Sequence, residues 1–394
     1  MTTVQRDLPS VTAVVNEFPA VSQTFIRRKL DGLRSAGMDV QVAASRFAEP
    51  SGATGFPYLC VTPWASPHAA ISRESRAAWA SMVRSVPSSW RTDGRARHTL
   101  ATAPILAVET DIVHFEFSGI AVTYLDHLEE LANRSRIVVS CRGAAEQITP
   151  LYDATRRRQL AEVFDAASLI HCVSDDMRRT VEGYGAPPDR ILVNRPAVPV
   201  AEFASLRRPT RSDGGPVRVL SIGRLHWKKG FDDAIRAISE LHGRGVDIDY
   251  RVAGEGPERE KLQFMIHELS LESVVDLVGS CEQPRIKELL GWADVLLLPS
   301  LSEGIANVAL EAMAAGVPVV STRCGGMAEV IEDGSTGMLV DVGDTVAMTD
   351  RIETIAKDPD LAAGLSLRAA AYADDNLDIS GQIQRFVRAY QTTG

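Results

Sequence analysis

The stretch VRVLSIGRLHWKKGFDDAIRAISELHGRGVDIDYRVAG (Val217–Gly254) decides the fold. VRVLSIG is a mostly apolar run, as in a parallel strand covered on both faces. RLHWKKG is a polar loop. FDDAIRAISELHGRG reads as a helix ended by glycine, and IDYRVAG as the next strand. The chain opens in the same way. An apolar run, Val11 to Val15, leads through the loop NEFPAVSQ to FIRRKLDGLRSAG, a helix with Phe25, Ile26, Leu30 and Leu33 at helical spacing, and on to the strand DVQVAAS. Further strands follow in both halves: DIVHFEF, RIVVSCRG and SLIHCVS in the first, VDLVG, VLLLPS, PVVS and GMLV in the second.

Two β–loop–α–β starts of this kind predict two doubly wound, Rossmann-like α/β domains, whose ligands bind at the carboxyl ends of the strands, in a cleft that the domains face. PTRSDGGP (Pro209–Pro216) is a polar, Gly/Pro-rich linker. The expected division is therefore 1–208, linker 209–216 and 217–376. A final amphipathic segment, SGQIQRFVRAYQ, places Ile383, Phe386, Val387 and Tyr390 on one side.

Composition narrows the functions. A chain of 394 residues fits about two domains. A net charge of −9 argues against non-specific nucleic-acid binding as the main task. No apolar run approaches the ~18 residues of a membrane span, and MTTVQRDLPS lacks the features of a secretory signal, so a cytoplasmic location is expected. The five cysteines are scattered without a CxxC pair, so neither a disulfide framework nor a zinc site is expected.

Chemistry-bearing residues gather in the second half. Arg224 and Lys229 sit in the loop after its first strand and suit a phosphate or diphosphate, with Gly223 and Gly230 permitting close backbone approach; the bland alternative is a solvated basic turn. Lys228 reads as the solvated member of the group. In EGIANVALEAMAAGVPVVS (Glu303–Ser321) a carboxylate precedes a run of small residues that enters a helix. The N–H groups around Gly304, Ile305, Ala306 and Asn307 form an anion site. Glu303 before that site and Glu311 beyond it could each accept sugar hydroxyls. Glu311 lies in an apolar helix, where an unpaired acid is costly. Together these residues suit a nucleotide sugar.

RVLSIGRLHWKKG, YRVAGEGPER, VDLVG and ADVLLLPSLSEGIANVALEAMAAGVPVVSTRCGGMAEVIEDGSTGMLV together resemble the retaining GT4-family glycosyltransferases of the GT-B fold, specifically over Val217–Val342. FPAVSQTFI is similar to the start of some exopolysaccharide and glycolipid transferases. The resemblance implies hexosyl transfer from a nucleoside-diphosphate sugar to a hydroxyl acceptor with retention and no metal or cofactor. UDP is favoured as the base carrier, then GDP. Arg224 and Lys229 would hold the diphosphate, Glu303 with the Gly304–Asn307 backbone the sugar and adjacent phosphate, and Glu311 the ribose. Gly254, Gly256, Val278 and Gly279 would line the base pocket. A helix at about 377–394 would return to the first domain. The acceptor is left open among saccharide, lipid-linked intermediate and natural product; no nucleic acid is expected.

Two departures from the family stand out. Where it has His-Gly, this chain has Arg142-Gly143, and Arg142 is either a donor to sugar or phosphate or half of a structural ion pair. Where many relatives have Gly-Gly, this chain has Ser22, Gln23 and Thr24, so Ser22 either caps the helix or, with Thr24, faces a phosphate. His114 is expected at the ligand edge and His171 in the core. Asp247-Ile248-Asp249 mimics a metal-binding DxD and reads instead as a strand lead-in. Residues 68–98, rich in arginine with Trp79 and Trp90, and the cluster Arg27-Arg28-Lys29 are candidates for an anionic membrane or acceptor. The alternatives are a GT-B-fold phosphorylase or epimerase, or a catalytically impaired sugar-nucleotide-binding protein.

Overall fold

The computed structural model describes residues 8–20, 23–47, 55–61, 98–99, 101–209 and 214–392. The chain divides into two units. The first comprises residues 1–173, 177–194 and 383–394; the second comprises 174–176 and 195–382.

The first unit is built on seven parallel strands: β1 (Val11–Phe18), β2 (Val40–Phe47), β3 (Tyr58–Cys60), β4 (Ile112–Phe115), β5 (Arg136–Cys141), β6 (Leu169–Cys172) and β7 (Ile191–Val193), in the order β3-β2-β1-β4-β5-β6-β7. Val11, Ala13, Val14 and Val15 are all buried, as both-face coverage of a central parallel strand requires. The helix Thr24–Ser35 buries Ile26, Leu30 and Leu33, and also Lys29.

The second unit has six parallel strands: β8 (Val217–Ile222), β9 (Ile248–Ala253), β10 (Val275–Gly279), β11 (Val295–Leu298), β12 (Val319–Thr322) and β13 (Met338–Val340), in the order β10-β9-β8-β11-β12-β13. The helix Phe231–Gly243 buries Phe231, Ala234, Ile235, Ala237, Ile238 and Leu241, the three-and-four spacing of a core-facing stripe. In each sheet the strand order reverses once, at β1/β4 and at β8/β11. Such a reversal opens a crevice at the carboxyl ends of the strands, where the loops diverge.

The unit boundary falls between Asn194 and Arg195, earlier than the expected linker at 209–216. The reason is packing. Val198, Val200 and Phe203 belong to the core of the second unit, Arg207 donates to the Ala314 carbonyl at 2.9 Å, and Arg208 pairs with Asp294 at 3.0 Å. No helix among the described residues is long and apolar enough to cross a membrane.

Candidate active site

At the strand-order reversal of the second unit, β8 and β11 lie side by side, with Val219 opposite Val295 and Leu220 opposite Leu296. The loops that leave them therefore start close together. Gly230, in the left-handed conformation at φ +63°, brings the first loop against the second; a Cβ there would stand 2.1 Å from the Pro299 carbonyl oxygen. Gly254 seats the β9 loop in the same way, since its Cβ would stand 1.9 Å from the Gly223 oxygen. Both glycines hold backbone against backbone, and they fix the path of Arg224.

Lys229 and Glu303 form an ion pair, each largely buried, and Ser300 Oγ donates to the same Glu303 carboxylate at 2.9 Å. The two residues expected to hold different parts of a ligand thus neutralise each other here. Arg224 is exposed and makes no hydrogen bond or ion pair among the described residues. Lys228, expected to be solvated, is half-buried, because its carbonyl is tied to the Leu301 N–H at 2.8 Å; burial lowers its ammonium pKa, against the pull of Glu303.

The expected row of free N–H groups from Gly304 to Asn307 is interrupted. Gly304 gives its carbonyl to the Gly326 N–H at 2.7 Å, and the Ala306 N–H donates to Met327 Sδ at 3.3 Å. The helix Asn307–Ala314 starts directly after Ala306, and its first N–H groups, of Asn307 and Val308, have no acceptor among the described residues. Asn307 Oδ1 is itself buried without a partner. Glu311 is buried, one turn further along the same helix. Gly326 and Met327, which sequence reasoning left without a role, are the clamp on this turn; the adjacent glycines of STRCGGMAE were the available signal. Burial raises the neighbouring Cys324 thiol to about 11. Val278 and Gly279 end β10, with the Gly279 carbonyl accepting from the Gly254 N–H at 2.8 Å. Gly223 follows β8, Gly256 packs on Leu225, and Asp249 lies inside β9 paired with Arg251.

The first unit carries a second, closed cluster. Glu116, just past β4, is fully buried between Lys29 at 2.5 Å and Arg142 at 2.9 Å, and its carbonyl also accepts from Arg142 Nε at 3.0 Å. Burial would raise the Glu116 carboxyl, but the charges around it, that of Lys29 foremost, hold it well below the usual range. Burial, only partly offset by Glu116, pulls the Lys29 ammonium down to about 8. Arg142 thus stands as half of an ion pair. His114 lies within β4 and is wholly buried, so it is not at the ligand edge. Its Nδ1 meets Tyr390 Oη at 2.5 Å and Lys29 Nζ at 3.0 Å, and its Nε2 meets Ser140 Oγ at 2.8 Å. Ser140 continues to His171, whose Nε2 reaches the Asn194 carbonyl at 2.8 Å. The inward turn of Lys29 also removes it from any surface basic cluster with Arg27 and Arg28. Gln23 takes the N-cap position without a side-chain cap, and Thr24 opens the helix; Ser22 and the 68–97 segment lie outside the described residues.

Two family models cover nearly the whole chain. Residues 22–202 match Glycosyltransferase Family 4 and residues 202–372 match Glycosyl transferases group 1. The chain belongs to the group 1 glycosyltransferases of the GT4 type. It is 32% identical to a WcaL glycosyltransferase of Salmonella typhimurium whose name places it in colanic acid biosynthesis, over 62% of this chain and 61% of that protein. It is 27% identical to the WcaL of Escherichia coli K12, over 90% of this chain and 92% of that one. Among solved structures, Anabaena Alr3699/HepE in complex with UDP-glucose matches with a TM-score of 0.72 at 17% identity, covering 98% of this chain and 100% of that chain, which shows the shared GT-B fold. In this glycosyltransferase the two models meet at residue 202, close to the unit boundary at Arg195. The Lys229–Glu303 pair falls in the group 1 half and the Glu116 cluster in the other.

Proposed function

We propose that this glycosyltransferase moves a hexosyl unit from a nucleoside-diphosphate sugar, UDP-linked in preference to GDP-linked, to a hydroxyl of a saccharide acceptor, with retention at the anomeric carbon and without a metal ion. One observation carries the reading. An unpaired guanidinium, a lysine–glutamate pair, a helix start with open N–H groups and a buried glutamate converge at a strand-order reversal. That HepE was solved with UDP-glucose and that the WcaL names refer to colanic acid biosynthesis support it.

Binding would exchange partners. The diphosphate takes Lys229 from Glu303 and adds Arg224 and the first-turn N–H groups of the helix Asn307–Ala314; the released Glu303 carboxylate accepts hexose hydroxyls, and Glu311 accepts those of the ribose. In the transfer the bond from C1 to the diphosphate oxygen breaks, the bond from C1 to the acceptor oxygen forms, and the acceptor proton passes to the departing diphosphate. Arg224 and Lys229 stabilise the charge that develops there, the role a metal fills elsewhere. Acceptor recognition is assigned to the first unit.

The test is thermal stability with UDP, GDP and ADP, with and without EDTA, followed by hydrolysis of the sugar nucleotide that binds. One diphosphate raising the midpoint in EDTA, with slow release of sugar by the native protein and not by Glu303→Ala, supports the proposal. No response to any nucleotide at millimolar concentration refutes it. Binding without release points to the impaired, binding-only alternative.

A further inference from the structure

Around Arg142 the first unit sets two cations against one anion. Glu116 is shared by Lys29, which is sealed inside, and by Arg142, whose side chain is 11% exposed and so reaches the surface. The hydrogen bonds of the guanidinium use two of its nitrogens. Nε donates to the Glu116 carbonyl at 3.0 Å, and Nη2 to the Glu116 carboxylate at 2.9 Å and to Ser140 Oγ at 3.4 Å. Nη1 makes no hydrogen bond or ion pair among the described residues. A further carboxylate, that of Glu146, is engaged by Ser118 Oγ and by the Gly143 N–H at 3.1 Å, and burial raises it toward the neutral form. Two phenyl rings hold the guanidinium in place. Its carbon stands 4.9 Å from the centre of the Phe25 ring and 6.0 Å from that of Phe117, and the rings meet edge to face at 6.5 Å. Both rings are half-buried. Phe25 lies in the helix after β1, Phe117 follows β4 and Arg142 follows β5, so the three gather at the carboxyl ends of the strands where the order reverses. A sheet of this kind binds its ligand in that crevice.

We infer that Arg142, between Phe25 and Phe117, receives an anionic group carried by the acceptor: the carboxylate of an acidic sugar or a phosphate ester on a sugar. Nη1 donates to the anion, and the rings cover the apolar C–H side of the sugar. The rings also keep water from screening the guanidinium, which strengthens its hold on a charge. Glu116 and Lys29 are positioning residues. They fix Arg142 in advance, so that no side chain has to be ordered when the ligand arrives. The inference rests on the reading that places the acceptor in the first unit. The donor diphosphate has cations of its own, Arg224 and Lys229, in the second.

The experiment is calorimetric titration of the full chain, with and without saturating UDP, by methyl β-D-glucuronide, glucose 6-phosphate and the neutral methyl β-D-glucoside. At least one anionic sugar should bind about tenfold or more tighter than the neutral one, and the tighter of the two names the anion. Arg142→Lys keeps a cation for Glu116 but loses the planar fork, and should remove most of that preference. Phe117→Leu leaves the ion cluster intact and should weaken the anionic sugars several-fold. Both variants should respond to UDP as the native chain does. The inference is overturned if the neutral sugar binds as tightly as the anionic ones, if no sugar binds at tens of millimolar, or if Arg142→Lys keeps the preference. It is equally overturned if the anionic sugars bind only without UDP, which would seat them on Arg224 and Lys229, or if Arg142→Lys loses UDP as well, which would give Arg142 to the donor. Should Arg142→Lys fail to fold, Phe117→Leu decides, and undiminished anion binding by it overturns the inference. A native chain that ignores UDP refutes the donor reading instead, and the sugar titrations are then read on their own.

Discussion

At the scale of single residues, the same kinds of charge serve opposite ends. Lys229 and Lys29 each meet a glutamate, but Lys229 and Glu303 stand in loops at a strand-order reversal, whereas Lys29 and Glu116 are sealed inside the first unit. On the proposed reading the first pair exchanges partners when a diphosphate binds, while the second stays closed. Glu311→Ala should abolish stabilisation by the preferred nucleotide, which at 100 times its dissociation constant amounts to about 2.7 kcal/mol in the native protein. Lys29→Met should cost about 3 kcal/mol or more in urea denaturation, because it strips a buried carboxylate of one of its two cations; an unchanged midpoint would show that Arg142 alone suffices.

At the scale of elements, the helix carrying Lys29 and strands β4, β5 and β6 are joined by groups that folding holds neutral or paired. Burial lowers His171 from its ordinary value to about 3 and His114 well below it. The unfolded chain therefore binds more protons than the folded one below about pH 6.5, and stability falls as the pH drops through that window. His171 alone should cost about 2 kcal/mol between pH 7 and 5. The depressed Glu116 acts in the same direction below its ordinary range. Urea midpoints should fall on acidification, and His171→Gln should flatten the slope; a midpoint level from pH 7 to 5 would contradict this. In the second unit, Gly254→Ala should both destabilise the fold, by about 2 kcal/mol or more, and weaken nucleotide binding, since the added Cβ must push away the backbone leading to Arg224.

The long apolar strands were legible because coverage on both faces leaves an unmistakable run. β3 and β7 were not; each is three residues long and only partly buried, unlike the equally short but fully buried β13 read from GMLV. The residues of the second-unit site were legible as a set, through spacing that places both loops at one end of the sheet. Their mutual pairing was not, because spacing says nothing of which charges meet. The burial of Lys29 was hidden for a related reason. Apolar periodicity marks the inward face of a helix, and it cannot announce a lysine whose partner, Glu116, lies far along the chain. For His114, the residues that enclose it come from β5 and from Tyr390, 276 positions away.

At the scale of the whole molecule, the chain threads from the first unit through the second and back. Residues 383–394 belong to the first unit, where Phe386 and Tyr390 cover His114 and His171. A chain truncated after Gln382 should therefore show a lowered calorimetric transition for the first unit while that of the second is little changed. Equal losses in both would mean that the units unfold as one. The same threading bears on how the molecule is made. Synthesis runs from the amino terminus, so the first sheet leaves the ribosome early, yet the side chains that seal its histidines are translated after the entire second unit. During that interval the nascent first unit waits with an open flank, and its completion is timed by the reading of the message for residues 383–394.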